Sequence, residues 1–416
     1  MNIAIVTLGC KTNQAESMEI QHGLIRSGHN IVQLEDNPDI CIINTCSVTA
    51  KADYQSRQLI NKTNRMCQRV IVTGCYSELN SSYISKNYNV EIVPNKEKSN
   101  IINIIPSLNL TTNLNKRDSF RHRPMVKVQD GCNYSCSYCT IPFARGKSKS
   151  VEPAKIVEKV NKLVSEGYHE IVLTGIHLGL YGLDLNPRIK ITKLLEELLL
   201  KTKISRIRLS SLETTEIYEP LLEIMTDKRI CNHLHIPLQS GNDNILNFMN
   251  RTYTSRDYIK TIELILKKFQ NISIGTDIIV GFPGETEDRF YDTKSLVELI
   301  PFSYLHVFPY SERPNTRALS LKGKIRDEIK KRRVAKLKQL DKLKREEFIK
   351  RNIGIHHSAV LETIHKNGIL GTTSNYIKVF IESSDITHKG ILADIMITGY
   401  NEQFATAKLI KKFVTP

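Results

Sequence analysis

The chain has 416 residues, 40% hydrophobic and 25% charged, which is length enough for two or three domains with real cores. No apolar run reaches the roughly 20 residues of a membrane span. The N-terminus, "MNIAIVTLGCKTNQAES", has neither a basic n-region nor a cleavage signal, so a cytoplasmic protein with no membrane partner is expected. The net charge of +16 suggests a polyanionic partner, nucleic acid first. Nine cysteines in a reducing compartment read as metal ligands or buried thiols rather than disulfides.

Residues 1–110 alternate apolar strands (3–7, 40–44 and 70–73) with helix-compatible stretches (14–27 and 50–65), which predicts a parallel α/β domain. Its strands run out into "TLGC", "INTC" and "VTGC", so Cys10, Cys46 and Cys75 each lie just past a strand. Neighbouring strands of a parallel sheet end on one edge. These three cysteines can therefore converge, although they are distant in sequence. A polar stretch follows from residue 109, and 111–123 is expected to be a linker.

From 124 to 321 the alternation resumes. Strands are expected at 125–129, 170–174, 206–210, 233–236, 273–280 and 305–308, and helices at 153–166, 191–201, 256–269 and 288–299. Six βα units suit a full or a partial parallel barrel, with function at the C-terminal ends of the strands in either case. Just after the first of these strands comes "GCNYSCSYC", which places Cys132, Cys136 and Cys139 on one tight loop opened by Gly131. Three thiolates so held can take three corners of a cubane iron–sulfur cluster and leave its fourth iron open. The competing reading is a zinc site completed by Cys231 or His177, in a zinc-stabilised RNA-binding protein that is not an enzyme. Cys41, Cys67 and, outside that reading, Cys231 have the context of ordinary buried thiols.

Residues 322–351 hold 14 Lys or Arg and five acidic residues. They predict one long basic helix over 324–351, with Ile325, Ile329, Leu337, Leu340 and Phe348 near one face. Its charges either face solvent or contact phosphates. Residues 352–416 carry short strand patterns at 357–364, 376–381, 391–397 and 404–410, the signature of a small β-barrel. Such a barrel either binds nucleic acid or caps the domain before it.

The motif "GCNYSCSYCTIPFARGKSKS" resembles the cluster loop of the methylthiotransferase family of radical S-adenosylmethionine (SAM) enzymes. "TLGCKTNQAES", "NTCSVT" and "VTGCYSE" are similar to that family's N-terminal domain. "TGIHLGLYG", "RLSSLE", "HIPLQSG", "TDIIVGFPGETE" and "HVFPYSERPNTRA" match its core in the same order. The C-terminal segment resembles the family's TRAM domain, a small β-barrel associated with RNA binding. The resemblance implies an α/β fold of three parts: an N-terminal methylthiotransferase domain, a partial (β/α)6 radical SAM core and a TRAM-like barrel.

It also implies two [4Fe-4S] clusters and SAM as cofactors. Cys132, Cys136 and Cys139 would hold the cluster whose open iron binds SAM. One-electron cleavage of SAM would then yield a 5′-deoxyadenosyl radical that removes hydrogen from carbon. Cys10, Cys46 and Cys75 would hold the second cluster, which handles sulfur, and a second SAM would supply the methyl group. Thr174, Gly175 and Ile176 stand where many radical SAM enzymes carry Gly-Gly-Glu, with the acidic residue absent. Arg208, Ser210, Glu213, Gln239 and Ser240 are further candidates for SAM contacts, and Gly281 and Gly284 for close approach of the adenine.

"LGCKTNQAES" looks closest to the class that acts on tRNA carrying N6-threonylcarbamoyladenosine at position 37, in the anticodon loop. Others of the family act on N6-isopentenyladenosine or on a ribosomal protein aspartate. An electron donor such as a flavodoxin or ferredoxin system is implied, and the sulfur donor is left unidentified.

Overall fold

The computed structural model describes residues 1–107, 122–382, 389–401 and 404–412. Apart from 122 and 123, the expected linker lies outside the described residues.

Five strands, β1 (Asn2–Thr7), β2 (Asn30–Val32), β3 (Ile40–Thr45), β4 (Arg69–Gly74) and β5 (Glu91–Ile92), form a parallel sheet in the order β2-β1-β3-β4-β5. Helices cover both faces, so the central strands are apolar almost throughout. Ile3, Ile40, Ile42 and Ile71 pack against Ile20 and Leu24 of helix Lys11–Arg26. The alternate positions, Ala4, Cys41, Ile43, Val70 and Val72, pack against Ile60 of helix Ala50–Met66. This places Cys41 in the core.

The middle of the chain adds β6 (Met125–Lys127), β7 (Gln129–Asp130), β8 (Lys149–Ser150), β9 (Glu170–Thr174), β10 (Arg206–Leu209), β11 (His233–His235), β12 (Ser273–Val280) and β13 (Tyr304–Pro309). β6, β9 and β10 make one parallel sheet, and β11, β12 and β13 another. The bridges Ile207↔Ile230 and Ser211↔His235 join them into an arc of six strands in sequence order. β6 and β13 do not pair, so the arc is open, and the partial barrel is the one realised. Helices Pro153–Ser165, Ile191–Lys201, Ser255–Lys268 and Glu287–Leu299 bury apolar faces against it. The antiparallel pair β7-β8 closes the base of the loop that carries the three clustered cysteines.

Helix Asp327–Lys350 lies along β13, where the Asp341 carboxylate accepts from the Leu305 amide at 2.6 Å. The helix begins later than expected: Ile325 precedes it, and Asp327 and Glu328 occupy its first turn, where acidic charge suits the helix dipole. Its buried line is Arg333, Leu337, Lys344 and Phe348, two of them cations. Arg333 is neutralised by Glu285 and Glu287, and Lys344 donates to the Glu298 carbonyl.

The C-terminal strands β14 (His356–His365), β15 (Gly368–Thr373), β16 (Lys378–Glu382), β17 (Leu392–Tyr400) and β18 (Ala405–Lys412) close a barrel in the order β14-β15-β16-β18-β17. β15, "GILGTT", was not expected as a strand, because its glycines read as turn residues. They serve close packing instead: a Cβ on Gly368 would stand 2.2 Å from the Ile381 carbonyl oxygen. The barrel docks against the arc through Arg206, which donates to the Ser358 and Thr372 carbonyls. Tyr376 lies with its ring 4.5 Å from that of His233. No helix among the described residues is long and apolar enough to cross a membrane.

Candidate active site

β1, β3 and β4 are adjacent in the N-terminal sheet, so the turns after them bring Cys10, Cys46 and Cys75 together. Gly9 makes the closeness possible. Its φ is +101°, and a Cβ there would lie 2.7 Å from Cys46 Sγ. Gly74, with φ +103°, lets its turn lie against the Thr45 backbone in the same way. Asn13 ties the edge together by donating to the Leu8 and Thr45 carbonyls at 2.8 and 2.9 Å. Burial pushes the Cys46 thiol up to about 11, with Cys75 and Cys10 adding to the effect. Burial also raises Cys75, against the opposing charge of Arg145.

Cys132, Cys136 and Cys139 sit on the loop between β7 and β8. Gly131, with φ +68°, opens it where a Cβ would strike the Lys147 carbonyl oxygen at 2.1 Å. Gln129 holds it: its Nε2 donates to the Asp130 and Gly131 carbonyls, and its Oε1 accepts from the His177 amide. Arg251 Nη1 donates to Cys136 Sγ at 3.2 Å and is paired with Glu213. Cys132 Sγ lies 3.4 Å from Nδ1 of His177, whose other nitrogen meets Glu216. Burial pushes Cys139 up to about 12 and also raises Cys136.

The two sets meet at one domain interface. Helix Ile141–Arg145 follows directly on Cys139 and carries Arg145, whose Nε donates to Cys75 Sγ at 3.3 Å. The same guanidinium bonds Glu16, Asp130 and Asn13. Glu16 in turn takes Lys98 at 2.6 Å and Lys127 at 3.0 Å. Burial would raise the Glu16 carboxyl, but Lys98, Arg145 and Lys127 together hold it far below its ordinary value.

The donor chemistry fits metal clusters. Three crowded thiols become a stable thiolate set around cationic metal, and burial of Cys46, Cys75, Cys136 and Cys139 opposes their ionisation without it. Of the zinc alternatives, Cys231 lies away from the loop, buried against Arg206, Arg208 and Glu170. His177 does reach the loop, but only at Cys132, and both its nitrogens have partners.

The candidates for SAM contacts divide. Thr174, Ser210 and Gln239 follow or end adjacent strands of the arc, and each buries a polar side-chain atom with no partner: Thr174 Oγ1, Ser210 Oγ and Gln239 Oε1. Gln239 also has φ +64°. Buried polar atoms are nearly always paired, so three at one rim suit a polar small molecule such as SAM. Gly175 packs on Gln129, where a Cβ would stand 2.7 Å from Oε1. Glu213 faces Arg251, and Ser240 bonds Thr293.

One expectation needs correction. Arg208 is not at the rim. It is wholly buried, with Nε 2.8 Å from Glu170 and the rest of its guanidinium on Glu170 and on the Thr373 and Ser374 carbonyls of the barrel. The close approach that Gly281 is seen to allow is to Lys330, whose Cγ a Cβ there would meet at 2.3 Å. Gly284 likewise packs on Phe248. Sequence reasoning missed Arg145, Arg251, Glu16 and Gln129 altogether. Arg145 and Glu16 lie inside motifs quoted for their cysteines, but nothing local shows that they meet.

Deeper on the concave side, Asp277 Oδ1 lies 3.0 Å from His235 Nε2 and 3.1 Å from His306 Nδ1. Lys11 and Arg208 are nearby. These positive neighbours make the group a hydrogen-bonded cluster rather than a good site for a divalent cation.

Residues 2–94 match the family described as Uncharacterized protein family UPF0004, and residues 126–297 match the Radical SAM superfamily. The chain is 39% identical over 405 residues to the Threonylcarbamoyladenosine tRNA methylthiotransferase MtaB of Aquifex aeolicus (strain VF5), covering 91% of this chain and 96% of that one. It is 32% identical to the tRNA-2-methylthio-N(6)-dimethylallyladenosine synthase of Endomicrobium trichonymphae, covering 92% of this chain and 94% of that one. Among solved structures it is similar to the radical S-adenosylmethionine methyltransferase TsrM of Kitasatospora setae, with TM-score 0.57 and 14% identity. That match covers 76% of this chain and 77% of the other, and supports the fold alone.

Proposed function

Because the chain belongs to the methylthiotransferase family of radical SAM enzymes, we propose that it converts N6-threonylcarbamoyladenosine, next to the anticodon of tRNA, to its 2-methylthio derivative. SAM and [4Fe-4S] clusters are its cofactors. When bound, they supply one-electron cleavage of SAM, hydrogen removal from carbon, and delivery of sulfur and methyl.

The chain's own residues set the geometry for this chemistry. Cys132, Cys136 and Cys139 would hold the SAM-binding cluster, with Thr174, Ser210 and Gln239 offering their unpaired polar atoms to SAM. Cys10, Cys46 and Cys75 would hold the second cluster. Arg251 and Arg145 each place an N–H on one sulfur of a set, a contact that tunes cluster potential. The barrel packs against the arc through Arg206 and Arg208, and the N-terminal domain through Lys127 and Arg145. Lys331, Lys338 and Lys342 share the exposed face of helix Asp327–Lys350 and would contact RNA phosphates.

The observation that carries the reading is the meeting of two three-thiol sets at one interface, each short of a fourth ligand. A cytoplasmic location, a flavodoxin- or ferredoxin-type electron donor and a separate sulfur source complete the proposal. The test is anaerobic reconstitution with iron, sulfide, reductant and SAM, then nucleoside mass spectrometry on threonylcarbamoyl and isopentenyl tRNA. A methylthio product on the threonylcarbamoyl tRNA alone is expected. A product on the isopentenyl tRNA alone would overturn the substrate, and no cleavage of SAM would overturn the reaction.

A further inference from the structure

Lys11 is the first residue of helix Lys11–Arg26, directly after Cys10, and its side chain runs toward the concave side of the arc. There it lies within electrostatic reach of Arg123, Arg208, His233 and Asp277. Its charged neighbours already have partners. Arg123 is paired with Glu362 and Glu170, and Arg208 with Glu170 and barrel carbonyls. Asp277 is shared by His235 and His306. Among the described residues, no carboxylate and no hydrogen-bond acceptor lies within bonding distance of Lys11.

The charges around Lys11 do not balance. Arg208 and Arg123 each act on it more strongly than Asp277, the carboxylate that opposes them. A half-buried ammonium with no bonded counter-charge, in a cationic surround, is costly unless an anion arrives from outside. The site is also next to Cys10, so its occupant would sit beside the N-terminal thiol set.

We propose that Lys11 binds the carboxylate of the threonylcarbamoyl group and thereby selects this substrate over nucleosides with an uncharged N6 substituent. The inference rests on the function proposed above. The threonyl carboxylate is ionised at neutral pH, whereas a dimethylallyl group offers nothing to an ammonium. A charge-assisted hydrogen bond in such a site discriminates by about 10- to 100-fold.

The test uses the full reconstituted protein and anticodon stem-loop RNAs carrying threonylcarbamoyladenosine or its threonine methyl ester. The wild-type enzyme should prefer the acid to the ester by about 10- to 100-fold in kcat/KM. Lys11→Gln should lose that preference, mainly through the KM for RNA, and Lys11→Arg should keep most of it. Iron content should be unchanged in both variants. Should Lys11→Gln lose iron, the wild-type acid-to-ester ratio and Lys11→Arg still decide the matter.

The inference falls if Lys11→Gln keeps the preference, or if its defect is in the KM for SAM. It also falls if the wild type uses acid and ester equally. A wild type that modifies isopentenyl RNA but not the threonylcarbamoyl acid would instead overturn the function on which the inference rests, and both would fall.

Discussion

Arg145 donates Nε to Cys75 Sγ at 3.3 Å, although the two residues are 70 positions apart and belong to different domains. Arg145 ends the short helix that follows Cys139 on the cluster loop, and Cys75 ends the third strand-to-helix turn of the N-terminal sheet. One guanidinium thus ties the two cysteine sets together, and Glu16, Asp130 and Asn13 hold it there.

That contact is specific to the planar fork of arginine. Arg145→Lys keeps the charge but cannot reach Glu16, Asp130, Asn13 and Cys75 at once. It should destabilise the protein by about 2 kcal/mol in denaturant unfolding. It should also lower the reduction potential of the N-terminal cluster in a redox titration, because a sulfur loses its hydrogen bond. An unchanged unfolding midpoint and an unchanged potential would refute the role given to Arg145.

The two cysteine sets should separate cleanly. Ala at Cys132, Cys136 or Cys139 should remove about half the iron and abolish formation of 5′-deoxyadenosine from SAM. Ala at Cys10, Cys46 or Cys75 should remove a similar share of iron but leave SAM cleavage, without methylthio product. Iron analysis and chromatography of the nucleosides measure both. Full iron in either series, or zinc in its place, would sink the assignment.

Acid should loosen the docked barrel. Burial raises the Glu362 carboxyl, but Arg123 and Lys378 outweigh it and bring it down to about 2, against an ordinary value of 4.5. Glu170 is likewise brought to about 2, with Arg206 and Arg208 outweighing its burial. Both folded values are depressed. Their stabilisation is therefore complete above about pH 4.5 and is lost as pH falls toward 2. Protection from hydrogen exchange across β14 and β15, taken relative to the intrinsic rate at each pH, should fall over that window, and Glu362→Gln should be less protected already at neutral pH. Protection that is flat across the window would count against this account.

Much of the fold was legible because burial imposes periodicity. The strands of the N-terminal sheet and of the arc alternate with amphipathic helices, and their apolar runs mark them. β15 was not legible, since Gly368 and Gly371 serve close strand packing and carry no apolar signal. The cysteine sets were legible for different reasons: Cys132, Cys136 and Cys139 by short spacing, and Cys10, Cys46 and Cys75 by position after strands.

Sequence alone determined the chemistry-bearing residue types, their strand-end placement and the family they resemble, because these are local patterns. Tertiary structure alone decided which distant side chains meet. Arg208 was expected at the rim, yet its strand turns it toward Glu170 and the barrel carbonyls. Arg145 gained a sulfur partner, and Lys11 was left with no bonded carboxylate. Such outcomes depend on how separately folded units pack, and the charge of a side chain does not reveal its partner until that packing is known.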